Sequence, residues 1–537
     1  MLGWRRLSRT WVTWVVTGGS LRKDSVFRAY LLTEGTPNGE GRLMILRRIF
    51  ATAAVVWFAY ASSAGAHEPH TCPDGFPDAP ILAGHIEQDE IVDGTLTFSE
   101  VFEIGELLFV AVFNICDGQG RPATTGTGAA RPPDQPSFIR TSAPDSSSCA
   151  GCHAQPRVGG GGDFVANVFV LAQALDPVTF SVSSEFSNER NTLGMMGSGA
   201  IEMLAREMSV ELQDQAAALG DGEHVLFTKG VEFEVTIAGG EVVASRGVDT
   251  DLIIKPFHQA GAVISLREFS VNAFNHHHGM QAEERFDLNP DKGFDPDFDE
   301  DGVERELTIG DVTAVTIFQA ALGVPGRILP AAPGDRTIVH QGQELFESAI
   351  GVGGAGCASC HVPVMPLDSR MFVEPNPFNP DGTFSDGSQS VTFDLTKDGE
   401  KPRLERAKRS GAIVRSYTDL KRHNLCDAED DPDPIRYFCN EELAQGRPEQ
   451  DGRPGAEFFL TRKLWDVGNS APYGHRGDLT TITDAILMHG GEARASRDAF
   501  ASLSSDHQAA IVRFLKTLQM LPPGSPRELI RNDHSRD

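Results

Sequence analysis

The sequence predicts a mainly α-helical protein with long loops and one small β-hairpin, on three observations. Apolar stripes recur at helical spacing, one short stretch alternates apolar and polar residues, and long runs rich in Asp, Pro, Gly and Ser separate them. With 537 residues, 40% hydrophobic and 23% charged, the chain can pack two or three domains; a disordered chain, a collagen and a disulfide miniprotein are excluded. Lys+Arg number 47 against 75 Asp+Glu, a formal charge of −28, which disfavours nucleic-acid binding through a basic surface.

From Met44 the chain reads two arginines, an apolar stretch from Ile49 to Ala61, and then Ala64-Gly65-Ala66, the small-x-small form of a signal-peptidase site. A signal peptide over 44–66 is therefore expected, with residues 1–43 an overlong gene start. The apolar run is too short for a membrane anchor, so no stable membrane insertion and a periplasmic or secreted location are expected. Removing nine Lys/Arg and three Asp/Glu with residues 1–66 leaves 38 basic and 72 acidic residues, a formal −34.

Cys149-Ala-Gly-Cys152-His153 and Cys357-Ala-Ser-Cys360-His361 are both C-x-x-C-H, the pattern of covalent c-type haem attachment. Two thiols on one turn add across the two vinyl groups, and the adjacent histidine then aims a ring nitrogen at the iron. A zinc site would want further Cys or His at short spacing, and a redox dithiol has no need of the histidine twice. Two c-type haems are expected, with His153 and His361 as proximal ligands. The remaining cysteines suggest the disulfides Cys426–Cys439, closing a short acidic loop, and Cys72–Cys116.

Val231, Phe233, Val235 and Ile237 alternate up to Gly239-Gly240, which reads as the hairpin. Phe274-Asn-His276-His277-His278-Gly carries three histidines in a row. Helical geometry lets only one or two face a single iron, so they are candidates for a distal pocket over the first haem, lined by Phe274. Glu268, Glu283 and Glu284 lie near in sequence as acid–base candidates, against a plain solvated reading. Asp295, Asp297, Asp299 and Asp301 alternate before Gly302 like the front of a calcium loop. Thr308 stands where an EF-hand needs Glu, so calcium is weighed evenly against an acidic loop. Residues 366–402 read as an irregular excursion. Thr481-Ile-Thr-Asp484 caps a helix that puts Ile482, Ala485, Ile486 and His489 on one face, which makes His489 the candidate second axial ligand of the second haem. A last helix follows Ser505, with Ile511, Phe514, Leu515 and Leu518 as its stripe.

The order CAGCHAQPRVGG, SLREF, FNHHHGMQ, CASCHVP, YTDLKRH, LWDVGNSAPYGHRG and AILMHGG resembles the di-haem oxidoreductases of peroxidase type. These are relatives of bacterial di-haem cytochrome c peroxidases and of the di-haem rubber oxygenases. The likeness runs from about Ser147 to Leu521 and is most specific in its C-terminal motifs. It implies two cytochrome-c-like domains, 67–330 with the β insertion and 331–537. It also places His489 where the family ligates its electron-transfer haem, and Phe274 where the oxygenases have a distal phenylalanine. Relatives carry Trp between the haems in a Pro-Phe-x-Trp context; here the chain reads Pro256-Phe-His258-Gln259, which makes His258 the candidate for that gap.

Three functions compete on this reading. A peroxidase would reduce hydrogen peroxide at the first haem with electrons entering through the second, supplied by a small redox protein. An oxygenase would bind O2 at the first haem beside Phe274. A carrier would have both irons six-coordinate.

Overall fold

The computed structural model describes residues 79–120, 139–140, 146–162, 165–167, 173–174, 189–286, 297, 302–407, 410–439, 457–526 and 529. The signal peptide and its upstream stretch lie outside them, as do Asp295, Asp299, Asp301 and Cys72. No described helix is long and apolar enough to cross a membrane.

The mainly α class does not hold. Helix accounts for 36% and strand for 15%, and the described residues form seven small sheets, so the architecture is mixed. Most of these strands are two to four residues long, too short for an alternating pattern to stand out. The excursion at 366–402 is an example. It contains Met371–Glu374 paired antiparallel with Val391–Asp394, while Met365–Leu367 pairs with Ala412–Val414. The expected hairpin has a third strand: β1 (Gly222–Thr228), β2 (Val231–Ala238) and β3 (Glu241–Ser245) form a meander. In β2 the side chains of Val231, Phe233, Val235 and Ile237 are buried while Glu232 and Glu234 face solvent, the alternation a one-sided sheet requires.

Two helix pairs carry the two cores. In the first, α1 (Phe98–Val110) opens on a capping box of Thr97 and Glu100, and packs on α4 (Ile309–Ala320), capped likewise by Thr308 and Asp311. The two backbones meet at Gly105, where a Cβ would lie 2.1 Å from the Ala314 carbonyl oxygen. Around α4, buried from Gly310 to Ala320, gather α2 (Ser198–Ala217) and α3 (Leu266–Ala273), and β1 packs on α2, with Leu204, Met208, Phe233 and Phe274 almost inaccessible. The second core joins α5 (Pro333–Glu347) to α6 (Ser505–Leu515) through Val339, Phe346, Ile511 and Phe514. Gly342 makes that approach possible, since a Cβ there would stand 1.9 Å from the Ala510 carbonyl oxygen.

A buried ionic network ties α3 to its surroundings. Arg267, fully buried, donates to both oxygens of Glu284, to Glu374 Oε1 at 2.9 Å and to Thr313 Oγ1 at 2.8 Å. Glu202, also buried, accepts from Arg206, Asn376 and the Leu266 N–H. Three carboxylates thus share two guanidinium groups, and Glu374 Oε2 has no partner. Burial pushes the Glu374 carboxyl up to about 7 in spite of its contact with Arg267. The attraction of Arg267 is divided with Glu284, which the guanidinium meets side-on, and desolvation prevails.

A folded-state pKa above the unfolded value makes this group costly as pH rises through that interval. Between about pH 4.5 and 7 the native chain holds a proton that the unfolded chain releases, so stability falls. Glu374→Gln keeps the Oε1 acceptor and removes the titration. Its stability relative to the parent is expected to grow across that window, by about 3 kcal/mol at the upper end. Denaturant titrations at pH 5 and pH 8 check this; a constant gap between the two proteins would refute it.

Candidate functional site

The second C-x-x-C-H motif follows Gly356, whose φ of 70° lets the chain enter a 3-10 turn at Cys357–Ser359. The turn brings the His361 N–H onto the Cys357 carbonyl and places the ring against Phe346 of α5. His361 Nδ1 meets the Tyr417 carbonyl oxygen at 3.1 Å. Opposite stands His489, just beyond the short helix Ile482–Leu487 that Thr481 caps through the Asp484 N–H. Its Nδ1 meets the Ala485 carbonyl oxygen at 2.7 Å. The two ring centres are 6.5 Å apart. Because a carbonyl oxygen only accepts, both Nδ1 atoms carry the proton, and Nε2 of each ring keeps its lone pair. Burial holds the His361 imidazolium down to about 4 and lowers His489 as well, so both rings are neutral at pH 7.

Cys426 and Cys439 form a disulfide, and the loop they close presents Phe438 to His489 at 6.1 Å between ring centres. Cys116 is disulfide-bonded too. Phe438 also stacks on His475, 5.3 Å away and 27° from parallel. The His475 carbonyl receives hydrogen bonds from the Asn191 N–H at 2.7 Å and from Gln259 Nε2 at 3.3 Å. His258, with φ 64°, therefore sits next to the seam where the stretch after the first motif meets the C-terminal core.

His423 belongs to the site and was not singled out in the sequence. It lies beside Cys360, its two ring nitrogens 2.9 Å from Asp419 and 2.9 Å from Glu492. The carboxylates raise the imidazolium to about 11 against a desolvation that works the other way, and Glu492 falls to about 2. The Asp419/His423 spacing of four within YTDLKRH was the available signal.

The first motif is a single helical turn, Cys149–Cys152, after Ser148. His153 Nδ1 approaches the Gly160 carbonyl oxygen at 3.3 Å, and the ring touches Phe109 of α1. Burial holds His153 down to about 4. Helix α3 runs on into a π-turn, Phe274–His278, ended by Gly279 at φ 71°. The wider turn sends Phe274 and His278 inward, 1% and 2% exposed, and leaves His276 and His277 half-buried. His278 Nδ1 lies 2.6 Å from the Ser146 carbonyl and Nε2 lies 3.5 Å from Cys149 Sγ, so both nitrogens are engaged. Phe113 and Phe274 flank the ring at 5.8 and 5.7 Å. His278, held down to about 4 by burial, is neutral; a charge on His277 would oppose protonation of both His278 and His153.

The three glutamate candidates each have partners, Glu284 the Arg267 guanidinium already described. Glu268 accepts from the Ile264 N–H at 2.6 Å, and Glu283 pairs with Arg305 while accepting from the Ile309 N–H. Asp297 accepts from the Gly302 N–H at 3.0 Å, a turn closure. The four motif cysteines are unpaired, and burial pushes the Cys149 and Cys357 thiols up to about 12. Thiols so protonated are poor for dithiol exchange.

Residues 433–518 match the family model described as "di-haem oxidoreductase, putative peroxidase", the stretch that holds the more specific motifs of the resemblance. That resemblance is therefore shown there. No curated protein matches the chain. Among solved structures it is similar to Kuenenia stuttgartiensis hydrazine synthase, at 15% identity over 83% of this chain and 98% of that one, TM-score 0.35. It is also similar to a MauG-like protein associated with microbial copper homeostasis, at 14% identity over 83% and 94%, TM-score 0.32. Likenesses this distant bear on nothing below.

The Cys426–Cys439 bridge spans 13 positions, and loops of that size gain about 3 kcal/mol from closure. The double variant Cys426→Ser/Cys439→Ser is expected to lose roughly 2–3 kcal/mol in denaturant unfolding. The loop carrying Phe438 should also become the first segment to exchange its amide protons; unaltered exchange in 426–439 would contradict this.

Proposed function

We propose that this chain is an exported di-haem c-type oxidoreductase that reduces hydrogen peroxide at the first C-x-x-C-H site, with electrons entering through the second. The observation that carries the reading is the pair of opposed imidazoles. Two imidazole–metal bonds of about 2.0–2.1 Å, plus a ring radius of about 1.1 Å on each side, put ring centres roughly 6.3 Å apart. His361 and His489 stand at 6.5 Å with Nδ1 of each turned to a carbonyl, so the residues fit an iron held between them. The family match over 433–518 agrees, since it contains His489.

At the first site His153 is oriented in the same way, and Cys149 and Cys152 supply the attachment pair. When bound, haem would supply a redox-active iron, closed to ligands at the second site and open at the first. The chain's own part is to bind, orient and move protons. Tyr417 and Ala485 fix the second pair through their carbonyls. Phe113 and Phe274 make a dry wall beside His278. His278, neutral, donates its Nδ1–H to the Ser146 carbonyl, and its Nε2 lies beside Cys149 Sγ. With that sulfur a thioether that has no S–H to donate, Nε2 would be open to take a proton from hydrogen peroxide and return it to the departing oxygen. Each peroxide takes up two electrons and two protons and leaves as two waters. A small redox protein is the proposed donor.

Purified from a host that matures c-type cytochromes, the protein is expected to consume peroxide with a reduced small cytochrome as donor. Oxygen uptake on an unsaturated hydrocarbon without peroxide consumption would replace this reading by the oxygenase. His278→Gln should lower kcat/KM for peroxide by about 10² or more, the range for loss of a positioned base. His489→Ala should turn the second haem from low to high spin and leave the first unchanged. A low-spin spectrum that survives that substitution rejects the ligand pair.

A further inference from the structure

Lys463-Leu464-Trp465-Asp466 passes close to the first motif, and its polar groups are not accounted for. Trp465 is 3% exposed and its Nε1–H has no acceptor. The Lys463 ammonium sits 5.8 Å from the indole ring centre, and its acceptors are neutral and distant, the Met196 carbonyl at 3.3 Å and Ser198 Oγ at 3.5 Å. No described carboxylate lies within 4.0 Å of it. Asp466, fully buried, faces Arg462 at 3.4 Å instead and leaves Oδ1 unpaired. The local balance of Arg462, Lys463 and Asp466 is one positive charge, accompanied by an unused neutral donor.

This cluster adjoins the first site through a short chain of contacts. Met196, which receives the Lys463 ammonium, packs with Phe109 and Cys149. Its neighbour Met195 donates to the Gly159 carbonyl at 2.8 Å, and the Gly159 N–H reaches the His153 carbonyl at 2.9 Å. A positive charge on Lys463 also disfavours protonation of His153. Buried donors beside a buried cation call for an anion from outside the chain, and a carboxylate has two oxygens to divide between them.

We propose that Lys463 and the Trp465 indole N–H form a carboxylate-binding site that holds an acidic side arm of the haem at the first C-x-x-C-H motif. The inference rests on the di-haem reading. The ammonium supplies a fixed positive charge that favours the reduced iron, and the indole N–H fixes the tilt of the side arm. Both are binding and positioning residues, without a part in bond making.

The test is a spectro-electrochemical titration of the full-length di-haem protein, with both haems followed separately. Lys463→Gln should lower the midpoint potential of the first haem by a ten-fold change in the ferrous-to-ferric ratio, 59 mV for one electron, and leave the second haem in place. Lys463→Arg should restore it, which a merely structural role for the side chain would not predict. Trp465→Phe, which removes one donor and no charge, should broaden or shift the first-haem absorption at nearly unchanged potential, and it serves if the lysine variant fails to fold. An unmoved first-haem potential in Lys463→Gln, a shift confined to the second haem, or a parent potential that follows added phosphate would each overturn the proposal, the last by assigning the donors to a free anion. Absence of covalent haem from the parent protein on haem staining would refute the di-haem reading itself, which keeps the two failures distinct.

Discussion

One hydrogen bond recurs at the histidines of the two motif sites and sets what they can do. His153, His278, His361 and His489 each point Nδ1 at a backbone carbonyl, of Gly160, Ser146, Tyr417 and Ala485 respectively. Since the carbonyl can only accept, the tautomer is decided in each case, and the basic nitrogen is Nε2. Burial keeps the rings neutral, which is the state that ligates a metal or takes up a proton. Three of the carbonyls come from loops and that of Ala485 from a short helix, so each segment must be held rigidly by what lies beneath it.

That support comes from the two helix pairs. At Gly105 and Gly342 the helices approach so closely that a methyl group would collide with the facing backbone. Tight crossings of this kind leave α4 and α6 little room to slide. Helix α4 then backs α3, whose extension is the π-turn bearing His278, and α6 backs Phe346 and Tyr417, which flank His361. The Arg267–Glu284 contact spans the π-turn from one flank to the other, joining α3 to the segment after Gly279. Desolvation makes such a contact a modest source of stability, but it restricts where the intervening five residues can go.

The sequence was most legible where chemistry demands adjacent residues. Both C-x-x-C-H motifs announce themselves, and the stripe that ends in His489 is a helical signal that the Thr481 cap makes readable. What lay out of reach was contact between distant segments. No local pattern says that the Tyr417 carbonyl meets His361, or that Phe438 lies between His489 and His475. The histidine triplet was ambiguous because the helical repeat was assumed, whereas the chain widens there to a π-turn and directs His278 rather than its neighbours inward. The mixed fold was missed for a related reason: its strands are short and pair across long separations. The glutamates near the triplet were sensible candidates by proximity, yet Glu283 and Glu268 have partners that proximity in sequence does not reveal.

The two motif sites are unequal, and the proposed roles follow that inequality. At the second, an imidazole opposes His361 at 6.5 Å between ring centres, a separation suited to a metal shared by the two rings, which on the proposed reading would leave an iron there to pass electrons alone. At the first, His278 has both nitrogens engaged and lies against Cys149, within an aromatic wall. On the proposed reading, chemistry on a small oxidant would therefore fall to the first site. Between the two sites, contacts run from His489 through Phe438 to His475, and from the His475 backbone to Asn191 and Gln259. On that same reading, contiguous packed matter of this kind would join the two redox centres without assigning the transfer to one indole. The chain has His258-Gln259 rather than a Trp after Pro256-Phe257, and Trp465 is buried with an indole N–H that has no acceptor.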